Sequence, residues 1–339
     1  MIFVFGYPGN VGGACTELWH TVKLWRRMGR AVTLIPTWRA EPAWRRRLDA
    51  LGCRTVECRP EQLDTVPRLA GSVAAAWCNE HFLAAAPRLR ELGCRTVWVS
   101  CMNWVFPAER LHYRRYGPFD RYVFQSGYQR DQLGPQLERF GYRAEQGRVI
   151  RGAFDPSELP FRPRPHTEGK PLVIGRISRA APEKFSRRTW AIYGRTPHPI
   201  RARVLGFGPA VAAHTGVPPP WAECLPVGSQ SAAEFLPTLH AMVFAGATAE
   251  NWPRVGLEAM AAGVPLVVDR RGGWCEMVRH EQTGFLCATE DDFAHHTARL
   301  ARDEPLRLHV AHQARRELEE RLAEPAGLSD AWKHVLGEG

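Results

Sequence analysis

The chain has 339 residues, 45% apolar and 24% charged, which excludes bulk disorder and suits about two domains of roughly 150 residues each. Its net charge of +10 is lopsided: residues 1–155 carry 23 basic and 14 acidic residues, the remainder 22 and 21, so an anionic partner or a solvated arginine-rich surface is expected on the first half. No apolar run nears the ~20 residues of a spanning helix, the start MIFVFGYPGN lacks a basic leader region, and nine scattered cysteines without a CxxC pair exclude a zinc ribbon and point to free thiols in a reducing cytoplasm.

In chain order, short apolar runs predict strands at Ile2–Phe5, Val32–Ile35, Val73–Trp77, Thr96–Ser100, Tyr122–Gln125 and Val149–Ile150. Leu18, Val22, Trp25 and Met28 fall on one face of an intervening helix. Residues 156–170 hold Pro156, Pro160, Pro163 and Pro165 and read as a linker between a domain at 1–155 and a second at 171–339. The second half repeats the alternation with Leu172–Ile174, Val204–Leu205, Met242–Phe244, Pro265–Val268 and Phe285–Leu286, and Glu290–Gly339 reads as terminal surface helices. Strands alternating with helices predict two α/β, doubly wound, Rossmann-like domains with a ligand cleft at the carboxyl ends of the strands.

Three stretches carry chemistry. Gly6-Tyr-Pro-Gly9-Asn-Val-Gly12-Gly13 lies between a strand and a helix, where glycines admit close approach and the helix start offers N–H groups to an anion; the spacing is neither a dinucleotide fingerprint nor a P-loop. Past the first strand of the second domain come Gly175, Arg176, Arg179 and Lys184. Cations there suit a diphosphate, or simply a solvated loop for Arg179. With 41 Arg but only four Lys in the chain, Lys184 marks a place for a compact point charge. The richest stretch is Glu250-Asn-Trp-Pro253-Arg254, then Glu258, Gly263 and Pro265–Val268. Pro253 suits a helix start and Gly263 its end, and a carboxylate at Glu258 suits the two vicinal hydroxyls of a ribose.

The stretch Glu250–Val268, with Gly272-Gly273, Glu276 and Thr283–Leu286, resembles the nucleotide-sugar-dependent family 4 (group 1) glycosyltransferases of the GT-B fold. The likeness extends in outline to Gly12-Gly13, Gly175-Arg176, Lys184 and Leu205–Gly208. It implies two Rossmann-like domains facing across a cleft, with the donor mainly on the second and the acceptor mainly on the first. It implies a retaining hexosyl transfer from a nucleoside diphosphate sugar as co-substrate, with no metal and no other cofactor. Residue by residue, it assigns Glu258 to the ribose, Glu250 to the transferred sugar, and Arg176 and Lys184 to the diphosphate. Gly12 and Gly13 fall to the phosphates or sugar, and Gly206, Gly208 and Val227 to the neighbourhood of the base.

Two departures stand out. Family members often carry His after the strand at Thr96–Ser100, where this chain has Cys101-Met102-Asn103-Trp104; Asn103 offers a hydrogen bond but no titratable base, and His81 is another candidate. Pro253 replaces a small residue, with Arg254 beside it to meet a phosphate. The acceptor is a glycan, a lipid-linked molecule or a small molecule. Trp44–Arg47 and Arg114–Tyr116 suit peripheral contact with an anionic membrane face as well as a solvated one. No nucleic-acid signature is present. The same fold also accommodates a nucleotide-sugar epimerase or hydrolase, or a non-catalytic nucleotide-sugar-binding protein.

Overall fold

A computed structural model describes residues 1–9, 12–38 and 40–337; Asn10 and Val11 of the glycine-rich loop lie outside them. The chain divides into two compact units, residues 1–154 with 325–339, and residues 155–324.

The first unit holds β1 (Ile2–Phe5), β2 (Val32–Ile35), β3 (Arg54–Thr55), β4 (Val73–Trp77), β5 (Arg95–Val99), β6 (Arg121–Phe124) and β7 (Gly147–Val149). They form one sheet in the order β3-β2-β1-β4-β5-β6-β7, each neighbouring pair parallel. Strands covered on both faces read as unbroken apolar runs, and their alternation separates two cores. Ile2, Val4, Ala75, Trp77, Val97 and Val99 face one. Phe3, Phe5, Ala74, Ala76, Trp98 and Tyr122 face the other. Leu18, Val22 and Trp25 of the helix Gly13–Arg27 pack on the first face, as their spacing predicts.

The last helix corrects the domain reading. Pro325–Leu336 packs on the first unit, not the second: Trp332, Val335 and Leu336 complete the core at Trp25 and Trp77. Trp332 meets Trp25 edge-on at 4.8 Å between ring centroids, a geometry favoured by the ring quadrupoles.

The second unit holds β8 (Leu172–Ile177), β9 (Ile200–Leu205), β10 (Ala222–Leu225), β11 (Ala241–Phe244), β12 (Leu266–Asp269) and β13 (Phe285–Cys287), all parallel in the order β10-β9-β8-β11-β12-β13. The proline-rich segment 156–170 is tied to this unit rather than hanging as a linker. Arg162 N donates to Ala262 O (3.1 Å), and the fully buried Arg307 donates from Nη2 to Arg164 O (2.6 Å). Among the described residues no helix is long and apolar enough to cross a membrane. All nine cysteines are free; Cys53, Cys94 and Cys287 are buried, Cys275 is exposed and the rest are half-buried.

Candidate active site in the second unit

In the second sheet the strand order reverses between β8 and β11. Chains leaving those neighbours part in opposite directions, so the loops at their carboxyl ends leave a crevice where ligands bind. Both functional loops start there: 178–184 after β8 and 245–253 after β11.

The two loops are joined by Lys184 and Glu250. Lys184 Nζ donates to both carboxylate oxygens of Glu250, at 2.9 and 2.7 Å. The side chains are 22% and 9% exposed, so the pair is shielded enough to matter electrostatically yet reachable at one end. Two residues expected at the diphosphate and the transferred sugar thus bond directly to each other.

Arg176, expected at the diphosphate, is enclosed by protein here. It lies on β8 with 0% exposure. Its guanidinium carbon sits 4.0 Å from the Phe185 ring centroid and 3.8 Å from that of Phe244. Nη1 donates to Ala245 O (3.0 Å) and Nη2 to Lys184 O. Burial pulls its pKa below the usual guanidinium value. Arg176 therefore positions both loops, through Ala245 O and Lys184 O.

Further residues fix the Glu250 loop. Gly246 N donates to Asp269 Oδ2 (2.7 Å), and Arg271 Nη2 donates to Gly246 O (2.7 Å). Gly273 N donates to Glu250 O (2.8 Å). A Cβ on Gly272 would strike Glu250 O, and one on Gly273 would overlap Asn251 O. The Gly-Gly pair is thus needed for backbone to lie on backbone. Asp269 and Arg271 were missed from sequence; the available signal was an acid closing a buried strand with an arginine two residues on.

The helix Arg254–Ala262 follows. Pro253 is its N-cap residue and Gly263, at φ 82°, its left-handed C-cap. Glu258 lies in the second turn, partly buried, and among the described residues its carboxylate has no hydrogen-bond partner. Burial pushes its pKa up to about 7, opposed by the charge of Arg254 one turn earlier. Arg254 itself is buried, at 5% exposure, so the expected phosphate contact would need its side chain to turn outward.

Gly206, Gly208 and Val227 gather at the ends of β9 and β10. Gly206 N donates to Leu225 O (2.9 Å), Gly208 caps the helix Pro209–Thr215, and Val227 is exposed. Gly206 has φ 96°, and a Cβ there would overlap Ser178 O. Gly206→Ala is expected to lower stability by about 2–4 kcal/mol through strain and displacement of the Ser178–Lys184 loop. Denaturant melts check this; a wild-type midpoint would show that the loop gives way freely.

The remaining expected residues belong to the first unit. Gly12 caps the helix Gly13–Arg27 at φ 99°, a conformation that favours glycine, and Gly13 is its exposed first residue. Asn103 is partly buried in the segment after β5. His81 is exposed at the start of the helix Glu80–Glu91, its backbone N–H donating to Asn79 Oδ1 at 2.9 Å.

Residues 226–317 match the family model for glycosyl transferases group 1, a span that includes Val227, Glu250, Arg254, Glu258 and the Gly272-Gly273 pair. N-acetyl-alpha-D-glucosaminyl L-malate synthase of Bacillus anthracis is 37% identical over 75 residues, which is 22% of this chain and 20% of that protein. Among solved structures, Anabaena HepE in complex with UDP-glucose superposes with a TM-score of 0.76 at 16% identity, covering 100% of this chain and 99% of that one. Sucrose-phosphate synthase from Thermosynechococcus elongatus gives 0.71 at 14% identity, covering 98% and 97%. Residues 226–317 are thus similar to the group 1 glycosyl transferases, and the chain has the two-unit parallel α/β fold seen in the GT-B glycosyltransferases.

Proposed function

We propose that the chain is a retaining, metal-independent glycosyltransferase that moves a sugar from a nucleoside diphosphate sugar to a glycan, lipid-linked or small-molecule acceptor. The observation that carries the reading is the Lys184–Glu250 pair at the switch point of the second sheet, in a chain that matches the group 1 transferases over 226–317. Lys184 neutralises the departing diphosphate, the work a magnesium ion does elsewhere. Glu250, bonded to Lys184 through both its oxygens, faces the positive charge that develops on the sugar ring. Glu258 accepts the ribose hydroxyls. The HepE complex with UDP-glucose supports the donor class, and nine free cysteines support a reducing, cytoplasmic setting.

A thermal-shift screen against UDP, GDP, ADP and dTDP sugars tests the donor; at about 100 times its dissociation constant a ligand adds roughly 2.7 kcal/mol. Transfer in EDTA tests the metal. Stabilisation by no nucleotide sugar, or a strict metal requirement, would overturn the reading. Turnover of donor with no acceptor present would favour a hydrolase or epimerase.

Glu258 supplies a pH signature. With its pKa raised from 4.5 to about 7, the native state holds this proton more tightly than the unfolded chain. The stabilisation is complete below about pH 4.5 and is lost as pH rises through 7. Glu258→Gln is therefore expected to be more stable than wild type at pH 8, by on the order of 3 kcal/mol, and not at pH 4.5. Ribose hydroxyls need the ionised form, so donor affinity in the wild type is expected to fall about tenfold from pH 8 to pH 6. Calorimetric titration at both pH values checks this; a flat profile in the wild type removes Glu258 from the ribose.

A further inference from the structure

Between the helices Pro107–Tyr116 and Gly127–Glu138 of the first unit lies a cavity of about 590 Å³. Its floor is apolar: Val105 and Tyr113 are buried, and the Tyr113 and Phe140 rings meet at 5.7 Å between centroids. Its walls carry three guanidinium groups, those of Arg110, Arg114 and Arg139, and no carboxylate. Among the described residues none of the three has a hydrogen-bond or ion-pair partner.

All three residues are exposed, as is Arg115 on the same helix, whose guanidinium lies over the Tyr116 ring, whereas other arginines of this unit are paired. Arg90 donates to the carbonyls of Tyr116 and Pro118 at 2.5 Å each. Arg130 pairs with Asp131 and Arg143 with Glu145, both at 2.8 Å. Gln136 donates to Gln132 O on its own helix (2.8 Å) and accepts from Val105 N (3.4 Å), which links that helix to the segment entering the helix Pro107–Tyr116. Like charges around one concavity repel one another, and an anion between them removes that cost. A guanidinium offers paired donors that match phosphoryl oxygens.

We propose that this cavity binds a phosphoryl group carried on an apolar or aromatic body, the phosphate between the three arginines and the body on the Val105–Tyr113–Phe140 floor. The chemistry is shared by a soluble phosphomonoester and by the headgroup of an anionic phospholipid. The site does not depend on the glycosyl-transfer reading.

The test uses the full chain, with phenyl phosphate by calorimetry and with phosphatidic acid in phosphatidylcholine vesicles by co-sedimentation. The variants are the triple Arg110→Gln, Arg114→Gln, Arg139→Gln, the single Arg139→Gln, and Lys184→Ala as a control for phosphate bound in the second unit. The wild type and Lys184→Ala are expected to bind phenyl phosphate, with about tenfold lost per arginine removed; phenol is expected not to bind. Unpartnered arginines predict unchanged melting, and if the triple variant fails to fold the single one carries the comparison. Arginine-dependent binding of the vesicles alone supports the site with a lipid headgroup as its source. Binding of neither probe, or binding indifferent to the arginines, overturns the proposal.

Discussion

Glu250→Gln is expected to lower turnover by roughly a hundredfold or more while leaving donor affinity near that of the wild type. In a retaining transfer the sugar ring gains positive charge as the diphosphate departs, and a carboxylate beside it acts only at that stage, so its loss falls on kcat rather than KM. The magnitude is that of one lost preorganised electrostatic contact. The structure adds a complication, because the same carboxylate holds Lys184 through both its oxygens. Glutamine leaves a shielded ammonium without its counter-charge, so stability is expected to fall by about 1–3 kcal/mol as well. A double variant separates the two effects. Lys184→Met with Glu250→Gln removes both charges, and its melting temperature is expected to recover while its turnover stays low. Recovery of turnover together with melting temperature would mean that the pair only braces the two loops, and the catalytic role of Glu250 would be lost.

The parts of the fold that could be read from sequence are those whose environment is uniform along a segment. Strands such as Ile2–Phe5 and Ala241–Phe244 are buried at every position, so continuous apolar runs reveal them. The strands Arg54–Thr55 and Ala222–Leu225 escaped because the first has two residues and the second is half-exposed with Glu223 on it. The last helix shows the limit differently. Trp332, Val335 and Leu336 announce an apolar face, yet nothing local says which sheet covers it; that depends on Trp25 and Trp77, more than two hundred and fifty residues earlier in the chain. At the site, capping residues placed Glu250 and Glu258 around the correct helix start, because Pro253 and Gly263 act locally. The direction of an arginine side chain is not local.

Arg176 is the clearest case. A cation at the end of a strand, beside loops expected to meet a diphosphate, reads as a phosphate ligand. Two rings, Phe185 in the next loop and Phe244 on a strand far along the chain, close over it instead, and its donors go to Ala245 O and Lys184 O. The consequence is a different mutant phenotype. Arg176→Met keeps a flexible apolar stem between the rings but orphans two loop carbonyls, at about 1–3 kcal/mol each. It also removes the cation–π contacts, about 1–2 kcal/mol when desolvated. Against that, the buried guanidinium is no longer desolvated, as the downward pull on its pKa shows it to be, and this returns part of the loss. A net cost near 3 kcal/mol is expected, or roughly 10 °C in melting temperature for a unit of this size. Turnover should fall too, since the loops that carry Lys184 and Glu250 lose their common anchor. Arg176→Lys should not rescue either quantity, because a single ammonium lacks the planar fork that serves two carbonyls at once. Donor titration well below the melting point decides between the roles. A phosphate ligand would show lost donor affinity with normal melting; a brace shows lowered melting first, with donor affinity following only as far as the loops loosen.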